Sequence, residues 1–427
     1  MNNIINIKHH INKQAEGTYY TIPFTVPAGV ERITVNYSYS KNAGRTGKSV
    51  KIKNVVDFGL MNQEGCFIGW SGSSRRFISV GEYSSTSGYL MTGIEPGEWQ
   101  IIVGAYKIPD SGLDVRYEIV FSPHRSRWLT GDIHIHSSAS DGQYSTAAIT
   151  EKAKKAGLDF IAVANHNNYS DNLNLPVVSD LTLLPAVEWT HYKGHLNFYG
   201  VVSPFENSFV ANSEEEMLTL VADAKAKGAL VSVNHPKCKF CPYLWDNVDC
   251  FDMVEVWNGP MRQVNMDTIK WWHEMLINGR KIPIAGGSDY HKSLHPVRLA
   301  HPVMRVYSQS PSAGDILSAI SCGHSYITSS VSGAVLDLRY DTAIMGDTIN
   351  RRDGEELNIS AEMVHPGCKL KLITSEGVAA QWKSSSLGSF QEKVKVPDTW
   401  RFAYLVLYRQ IFNYEYVRAI TNPIYFI

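Results

Sequence analysis

Two pairs of possible metal ligands are spaced two residues apart in this 427-residue chain. His134 and His136 form the first pair, with Asp141 close behind, and Asp289 and His291 form the second. Residues i and i+2 of an extended strand point to the same face, so each pair can direct two ligands at one ion. Imidazole nitrogens and carboxylate oxygens suit hydrolytic divalent metals. The spacing therefore predicts metal-dependent hydrolysis.

Further histidines and a carboxylate stand at the edges of short, apolar, β-branched runs that are typical of strands. Most of them stand at the C-terminal edge. In a parallel α/β sheet or barrel those edges line one mouth, where catalytic groups gather. The chain therefore offers nine candidate ligands to one rim, namely His134, His136, Asp141, His166, Glu188, His195, His235, Asp289 and His291.

A series of short motifs in this region resembles the PHP-domain metallohydrolases (the polymerase and histidinol phosphatase superfamily), and within them the carbaryl hydrolase-like branch. The resemblance covers roughly residues 129–330. The motifs are His-x-His…Ser-Asp-Gly at 134–142, His-Asn at 166–167, Glu-x-Thr at 188–190, Gly-His-x-Asn at 194–197, Asn-His-Pro at 234–236, Glu-Val-Trp-Asn-Gly at 255–259 and Gly-Gly-Ser-Asp-x-His at 286–291. Asn165 stands where the family usually has Asp, which predicts weaker orientation of His166.

The resemblance implies a distorted TIM-like barrel of seven βα units that binds two or three divalent ions, Zn²⁺, Mn²⁺ or Fe²⁺. In the family's pattern, one ion is bound by His134, His136, Glu188 and Asp289, with Glu188 bridging. The remaining ions are shared among His166, His195, His235 and His291, and Asp141 completes a third site. The number of ligands is consistent with this pattern, because six imidazoles and three carboxylates exceed the three or four protein ligands of one catalytic zinc.

The chemistry that follows from such a site is attack by a metal-bound hydroxide, because an ion lowers the pKa of its bound water from about 15.7 to about 7. We assign catalytic roles to Glu188, as the bridging ligand, and to Asp289, which would hold or deprotonate the nucleophile. His235 is assigned with them, because a histidine can carry a proton to the leaving group. Candidate substrate contacts near the rim are Lys237, Asn258, His295 and Arg298.

The leading function is a phosphoesterase that cleaves a small phosphate mono- or diester. The alternative is a carboxyl ester or carbamate hydrolase of the carbaryl hydrolase type, because both reactions need hydroxide and a Lewis acid. A phosphate pocket would place two or three cationic groups beside the metals, whereas an acyl pocket would be mostly apolar. A third possibility, from a different class, is a binding protein with a vestigial metal site.

Composition narrows the functional class. Forty Lys and Arg residues against forty-one Asp and Glu give a net charge of −1 without a basic tract, so we expect no nucleic-acid partner. Neither a signal peptide nor a membrane-spanning apolar run is evident, so we expect a cytoplasmic protein. Six cysteines are too sparse for a disulfide framework, and Cys238-x-x-Cys241 is only a weak signal for metal.

The pattern of strands and helices predicts three domains. Residues 1–124 contain strand-like runs and no useful helical period, which predicts a β-sandwich. Residues 125–331 alternate strands with four helices, capped by Ser145 or Thr146, by Ser213 with Glu216, and near 267 and 312, which predicts the α/β barrel. Residues 332–427 return to strands and predict an Ig-like β domain.

Overall fold

The computed structural model describes residues 3–41, 53–293, 296–411 and 414–427. By its internal contacts the chain divides into two compact units. The first comprises residues 1–125 with 178–180, and the second comprises 126–177 with 181–427. Many strands and few helices make up the chain, which confirms the mixed α/β class.

The first unit contains two four-stranded antiparallel sheets that share one apolar core. The sheets are ordered β1-β8-β3-β6 and β2-β7-β4-β5, and alternate residues of β8 are buried. The sequence predicts strands at 19–26, 33–39, 55–60, 99–105 and 117–121, which fall within β2, β3, β4, β7 and β8. Strands β1, β5 and β6 were not predicted. The strands are β1 Ile4–Ile11, β2 Tyr19–Val26, β3 Val30–Tyr39, β4 Val55–Met61, β5 Phe67–Ser71, β6 Phe77–Gly81, β7 Gly97–Lys107 and β8 Leu113–Pro123.

The second unit begins with strands that alternate with helices. Strands β9, β10 and β11 are parallel neighbours, as are β13, β14 and β15, while β12 is antiparallel to both β11 and β13. The elements are β9 Arg127–Ile135, α1 Thr146–Ala156, β10 Phe160–His166, β11 Thr182–His191, β12 Gly194–Tyr199, α2 Glu214–Ala226, β13 Leu230–Asn234, β14 Met253–Asn258, α3 Gln263–Ile277, β15 Ile284–Gly287, β16 Val303–Ser308, α4 Ala313–Ser321 and β17 Ser325–Thr328.

The helix starts follow the capping chemistry of the sequence. The Ser145 hydroxyl accepts a hydrogen bond from the Ala148 amide, and the left-handed Gly157 ends α1. Ser213 caps α2 in the same way. Helix α3 begins four residues before the predicted Asp267, because Arg262 at its N-cap makes no side-chain capping bond that the sequence could signal.

The two ends of the parallel region meet at the edge that carries the candidate ligands. An isolated parallel bridge joins Ile135 to Tyr290, and the Asp289 amide donates to the His134 carbonyl at 2.8 Å. In the order of hydrogen-bonded strands, β15 lies at one end of the sheet. Strand β9 is followed by β16, which is antiparallel to it. A closed barrel of seven βα units stays a prediction, since the described part of this region contains four α-helices.

The C-terminal residues form β strands that extend the same large sheet. Strand β17 pairs with β26, and the path runs on through β25, β22 and β23, while a separate sheet has the order β19-β18-β21-β24. The three-domain division also stays a prediction. The strands are β18 Val335–Tyr340, β19 Ala343–Ile344, β20 Thr348–Ile349, β21 Glu356–Val364, β22 Cys368–Thr374, β23 Gly377–Lys383, β24 Gly388–Lys395, β25 Phe402–Ile411, β26 Tyr414–Thr421 and β27 Ile424–Phe426.

Among the described residues, no helix is both long enough and apolar enough to span a bilayer.

Asn422 is the buried link between the C-terminal strands and β15. Its Oδ1 accepts from the Ile284 amide at 2.9 Å, and its Nδ2 donates to the Ser325 carbonyl at 2.9 Å. Asn422→Ala leaves both buried partners without this bond, so we expect the free energy of unfolding to fall by about 1–3 kcal/mol. Urea titration measures the loss. Asn358→Ala, on half-buried β21, is the matched control, and equal stability of the two variants would contradict the assignment.

Candidate metal centre

The strand directions explain why the candidate ligands meet. Strands β9, β10, β11 and β13 run in the same direction, and β9, β10 and β13 carry their candidates at or just after their C-terminal ends. Glu188 lies three residues before the end of β11, because β11 continues to His191, and it pairs with His166 at the end of β10. His195 instead lies at the start of β12. Because β12 is antiparallel to its neighbours, its N-terminal end lies at the same edge of the sheet. The segment after β15 supplies Asp289 and His291 from the other end of the parallel region, where Tyr290 bridges to β9. The structure therefore brings all nine predicted ligands into one cluster.

Glu188 lies at the centre of that cluster, and its two oxygens face different histidines. Oε1 lies 3.4 Å from His134 Nε2, 3.1 Å from His195 Nδ1 and 3.3 Å from His235 Nε2. Oε2 lies 3.5 Å from His136 Nε2 and 2.8 Å from His166 Nδ1. One carboxylate with a separate set of imidazoles at each oxygen is the arrangement that a bridging ligand needs.

Asp141 and Asp289 extend the cluster towards solvent. Asp141 Oδ1 lies 3.3 Å from His291 Nε2 and 3.7 Å from His166 Nε2. Asp289 Oδ1 lies 3.1 Å from His136 Nε2 and 3.5 Å from His291 Nδ1, so it stands between the inner and the outer histidines. Several overlapping groups of three or four of these side chains have ligand atoms within 4.8 Å of one another.

The geometry of the inner group fits a cation better than it fits hydrogen bonds. Within the described part of the chain, Nε2 of His134 and both ring nitrogens of His136 are buried without a hydrogen-bond partner of acceptable geometry. The oxygens of Glu188 and Asp289 nevertheless lie 3.1–3.6 Å from the two Nε2 atoms. Two ligands at about 2.1 Å from one tetrahedral ion are about 3.4 Å apart. The residues present therefore fit the ions that the sequence predicts.

The solvent exposure of the candidate ligands increases from the side of Glu188 to the side of Asp141. The side chains of His134 and His136 are fully buried and that of Glu188 is 1% exposed, whereas Asp141 is 57% exposed. His166, Asp289 and His291 are about a quarter exposed. A substrate can therefore reach the cluster from the side of Asp141, while the Glu188 side is closed to solvent.

Electrostatic coupling in the cluster is strong. Burial would raise the pKa of Glu188, but the surrounding imidazoles, His134 first, hold it well below its ordinary value. Burial would lower the pKa of His134, but Glu255, Glu188 and Asp289 hold it well above its ordinary value. His136 has less compensation, so burial lowers its pKa to about 4. These imidazoles and carboxylates stabilise each other's charged or polarised forms, as ligands of a shared cation do.

Backbone geometry around the ligands is unusual at three places. His235 and Asp289 have φ of 31° and 52°, in the left-handed region that costs a residue other than glycine about 1–3 kcal/mol. Gly287 has no room for a side chain, because a Cβ there would lie 2.4 Å from the Cβ of His134. The surrounding fold therefore holds these residues in place against local preference.

Glu255 is a residue whose role the sequence did not reveal. It belongs to a recognised motif, yet its position in the interior of β14 carries no spacing signal of a ligand. Its Oε1 lies 2.7 Å from His134 Nδ1, and its Oε2 accepts from the His235 amide at 3.0 Å and from Asn258 Nδ2 at 3.2 Å. Carboxylates that bind the second nitrogen of a ligating histidine fix its ring and raise its basicity.

Asn165 anchors a loop and does not contact the His166 ring in the described structure. Its Oδ1 accepts from the Ser137 amide at 2.8 Å and from Ser140 Oγ at 3.0 Å, and its Nδ2 donates to Asp171 Oδ2 at 3.0 Å. His166 Nδ1 lies instead 2.7 Å from Thr190 Oγ1. The expectation that Asn165 weakens the orientation of His166 gains no support, because Asn165 positions the loop that carries Asp141.

Asp132 anchors the segment that follows β15, as Asn165 anchors the loop that carries Asp141. Its carboxylate accepts from the amides of Ser288 and Ala300, both at 2.9 Å. Burial raises the pKa of Asp132 to about 6 in spite of these bonds. The side chain thereby fastens both ends of the segment 288–300 to β9, next to His134.

The contacts of the described residues do not place the predicted substrate-binding residues at the cluster. Lys237 Nζ lies 4.8 Å from the centre of the Trp271 ring, and Asn258 is bonded to Glu255. Arg298 lines two cavities of about 370 and 480 Å³, and no candidate ligand lines either of them. His295 lies outside the described residues. Their roles in substrate binding stay predictions.

A cavity of about 590 Å³ does open beside the cluster, and His195 and Thr190 belong to its wall. The other lining residues include Tyr192, Phe209, Val210 and Phe240, all of which expose apolar surface to solvent. No lysine or arginine is among the described residues of this wall. His191, which the sequence placed off the motif, also lines the cavity and stacks on Trp189.

Comparison with known proteins gives little further information. No family model matches the chain, and neither does any curated protein. Among solved structures, the chain is similar to a two-domain protein containing a predicted PHP-like metal-dependent phosphoesterase from Bacteroides vulgatus, at 15% identity over 69% of this chain and 95% of that chain, with a TM-score of 0.43. PsfC from Pseudomonas syringae is similar at 15% identity over 48% and 93%, with a TM-score of 0.38. At these scores the likenesses establish neither a shared fold nor a shared activity.

Glu255→Ala tests the support of His134. Removing the carboxylate frees the His134 ring and leaves the His235 amide without its acceptor, so we expect divalent-metal affinity to fall about 10- to 100-fold. Competition with a chromogenic chelator measures the affinity. Glu151→Ala, which removes an exposed carboxylate from α1, should change nothing. Unaltered affinity in Glu255→Ala would show that Glu255 does not orient the ligands.

Asn165→Asp tests the anchoring of the Asp141 loop. The new carboxylate would face that of Asp171 and could not donate to it, so we expect a loss of about 1–3 kcal/mol in the free energy of unfolding. The double variant Asn165→Asp with Asp171→Asn exchanges the partners and should recover most of the loss. Chemical denaturation of the four proteins completes the cycle. A single variant as stable as the wild type would disprove the proposed contact.

Proposed function

We propose that this protein is a metal-dependent hydrolase with a di- or trinuclear site, and that its substrate is a small phosphate mono- or diester. The observation that carries the proposal is the position of Glu188, whose two carboxylate oxygens face two separate sets of histidines. A single carboxylate shared in this way sets the distance between two ions. Paired ions at a fixed distance are typical of enzymes that displace a leaving group from a phosphorus or acyl centre.

Three groups of residues would hold the ions. The inner group contains the buried His134, His136 and Glu188 together with the partly exposed Asp289, and the outer group near solvent contains Asp141, His166 and His291. His195 and His235, which face Glu188 Oε1, form the third group. Divalent ions bound there would supply hydroxide from water near neutral pH and take up negative charge that develops on the substrate.

Asp289 is the residue best placed to handle the proton of the attacking water. It is partly exposed, and its Oδ1 lies between the inner and outer histidines. Burial would raise its pKa, but His134 and His136 hold the pKa well below its ordinary value, so the carboxylate is ionised and can accept a proton. His235 lies deeper, with its Nε2 directed at Glu188 and its side chain only 9% exposed. A role of His235 in holding Glu188 therefore fits its position better than proton delivery to the leaving group.

The charge of the site depends on the number of ions. Two divalent ions balance the four carboxylates of Asp141, Glu188, Glu255 and Asp289, whereas a third ion would leave a net positive charge that attracts a phosphate even without lysine or arginine in the wall.

The lining of the 590 Å³ cavity favours a second candidate, an uncharged carboxyl ester or carbamate. Tyr192 and Phe240 are almost fully exposed at its mouth, and Phe209 and Val210 add apolar surface. Apolar side chains so placed would gain about 25 cal/mol for each Å² of substrate surface that they cover. A phosphate pocket with cationic groups in the wall was the expectation from sequence, and the described wall lacks them.

Substrate panels on the metal-loaded protein separate the two candidates. We expect turnover of small phosphate esters that chelation abolishes and Zn²⁺, Mn²⁺ or Fe²⁺ restores. Glu188→Gln should lose metal occupancy and activity together, and Asp289→Asn should lose several orders of magnitude in turnover, on the scale of a main catalytic group. His324→Gln replaces a histidine outside the cluster and serves as the control.

Of three further results, the first and the last would decide against parts of this proposal, and the second would support it. Hydrolysis of aryl esters or carbamates, with no phosphate ester cleaved, would establish the second candidate. Loss of phosphate-ester turnover in Arg298→Ala with the metals retained would give Arg298 a role in binding phosphate. Unchanged turnover after exhaustive chelation would remove metal catalysis altogether.

A further inference from the structure

Two cysteines lie against the back of His235, on a loop that the proposed reaction does not use. Cys241 Sγ is 3.5 Å from His235 Nδ1, and Cys238 Sγ is 3.1 Å from Cys241 Sγ. Cys241 also lines the 590 Å³ cavity. Both thiols are partly exposed, so small thiol reagents can reach them.

The sulfur of Cys241 lies beside the second ring nitrogen of His235, where a metal-binding histidine usually has an oxygen as hydrogen-bond acceptor. When Nε2 of His235 binds a divalent ion beside Glu188, Nδ1 carries the ring proton and donates it towards Cys241 Sγ. Such a donor is ordinarily bound by a carboxylate or a carbonyl, and loss of that acceptor weakens the ligand. Within the described part of the chain, Cys241 is the partner of this nitrogen.

The loop is closed at both ends but has freedom at its tip. The Cys238 amide donates to the His235 carbonyl at 2.8 Å, and the Tyr243 amide donates to the Pro236 carbonyl at 3.0 Å. Between them Phe240 is 97% exposed, and its amide lies 3.5 Å from Cys238 Sγ. The sulfurs can therefore approach each other by a movement of about 1 Å, to the bond length of about 2.0 Å, without unfolding the strands.

We propose that Cys238 and Cys241 form a reversible disulfide that takes the acceptor away from His235 and weakens metal binding at the candidate centre. The inference depends on the proposed function only in requiring that His235 supports a bound divalent ion. It adds an oxidation site and a form of control that the hydrolytic reaction itself does not need.

The reaction with glutathione disulfide balances without any further reagent. One cysteine thiolate attacks a sulfur of glutathione disulfide, a mixed disulfide forms, and one glutathione thiolate leaves. The second cysteine thiolate then attacks the protein sulfur of the mixed disulfide and releases the second glutathione. The two cysteines lose two electrons and two protons, and glutathione disulfide gains them.

Oxidation changes the surroundings of His235 in two ways. The sulfur of Cys241 loses its thiol or thiolate form and becomes a poor acceptor, and it also moves towards Cys238. The Nδ1 proton is then left without a strong partner in a buried site. We expect the affinity of the centre for a divalent ion to fall about 10- to 100-fold, the usual effect of losing such a supporting bond.

Mn²⁺ affinity in defined glutathione buffers tests the proposal. Mn²⁺ is the probe because soft thiolates bind it weakly, so any change must act through the nitrogen and oxygen ligands. Peptide mapping and free-thiol counts report the disulfide in the same samples, and dithiothreitol reverses it. Neither measurement uses turnover.

Matched variants separate the sulfur contact from general oxidation. Cys238→Ser keeps the contact of Cys241 with His235 and cannot form the protein disulfide. Samples in which peptide mapping finds Cys241 without bound glutathione should therefore bind Mn²⁺ equally under both conditions. Cys241→Ala should bind weakly under both. The exposed Cys66 belongs to the first unit and gives Cys66→Ser as the control, and this variant should respond as the wild type does.

The inference fails if peptide mapping finds no bond between Cys238 and Cys241. It also fails if the oxidised wild type binds Mn²⁺ as tightly as the reduced protein, or if Cys238→Ser loses affinity on oxidation while its Cys241 carries no glutathione. Mn²⁺ binding that responds to oxidation in a protein that hydrolyses no substrate would overturn the proposed function alone. Hydrolysis with no redox response would overturn this inference alone.

Discussion

The burial of the Glu188 carboxylate is the constraint on which the remainder of the site depends. A charge with 1% of its side chain exposed costs several kcal/mol to remove from water unless other groups compensate it. The compensation comes from five imidazoles, which lie on β9, β10 and β12 and directly after β9 and β13. Asn234 Nδ2, 3.0 Å from Oε1, adds a hydrogen bond. No single element could supply them, so the carboxylate is stable only when several strand ends come to one point.

That requirement explains the irregular strand order. Parallel strands alone would place His195 at the opposite edge, because it opens its strand. The reversal of β12 between β11 and β13 returns it to the edge that carries Glu188. The same edge receives Asp289 and His291 from the far end of the parallel region through the bridge between Ile135 and Tyr290.

A second layer of side chains holds the ligands in position. Glu255 fixes His134, Thr190 lies against His166, and Asn165 anchors the loop that carries Asp141. Asp132 does the same for the segment that follows Asp289. Each of these groups is itself hydrogen-bonded, which is the support that a polar cluster in a low-dielectric interior needs. Left-handed backbone at His235 and Asp289 shows how strongly the surroundings determine these positions.

Short-range patterns in the sequence were sufficient to predict the class of fold and the membership of the cluster. Spacing by two residues on a strand, apolar runs that end in a polar residue, and capping residues such as Ser145 are local features, so they can be recognised without knowledge of distant contacts. The nine candidate ligands predicted from these patterns lie together in the structure. Among the strands that were not predicted, β1 and β23 carry partly polar faces and β27 is only three residues long.

Other properties were decided by tertiary structure alone. Glu255, Asp132 and Asp171 act through partners that are 121, 156 and 34 residues away, and no local pattern encodes such contacts. The predicted cationic groups Lys237 and Arg298 lie at Trp271 and in other cavities, because the direction of a loop side chain depends on the elements packed against it. The apolar wall of the cavity and the contact of Cys241 with His235 arise in the same way. The sequence alone determined which groups could do the chemistry, whereas the packing of distant segments decided what surrounds those groups, because burial and hydrogen-bond partners exist only after the chain has folded.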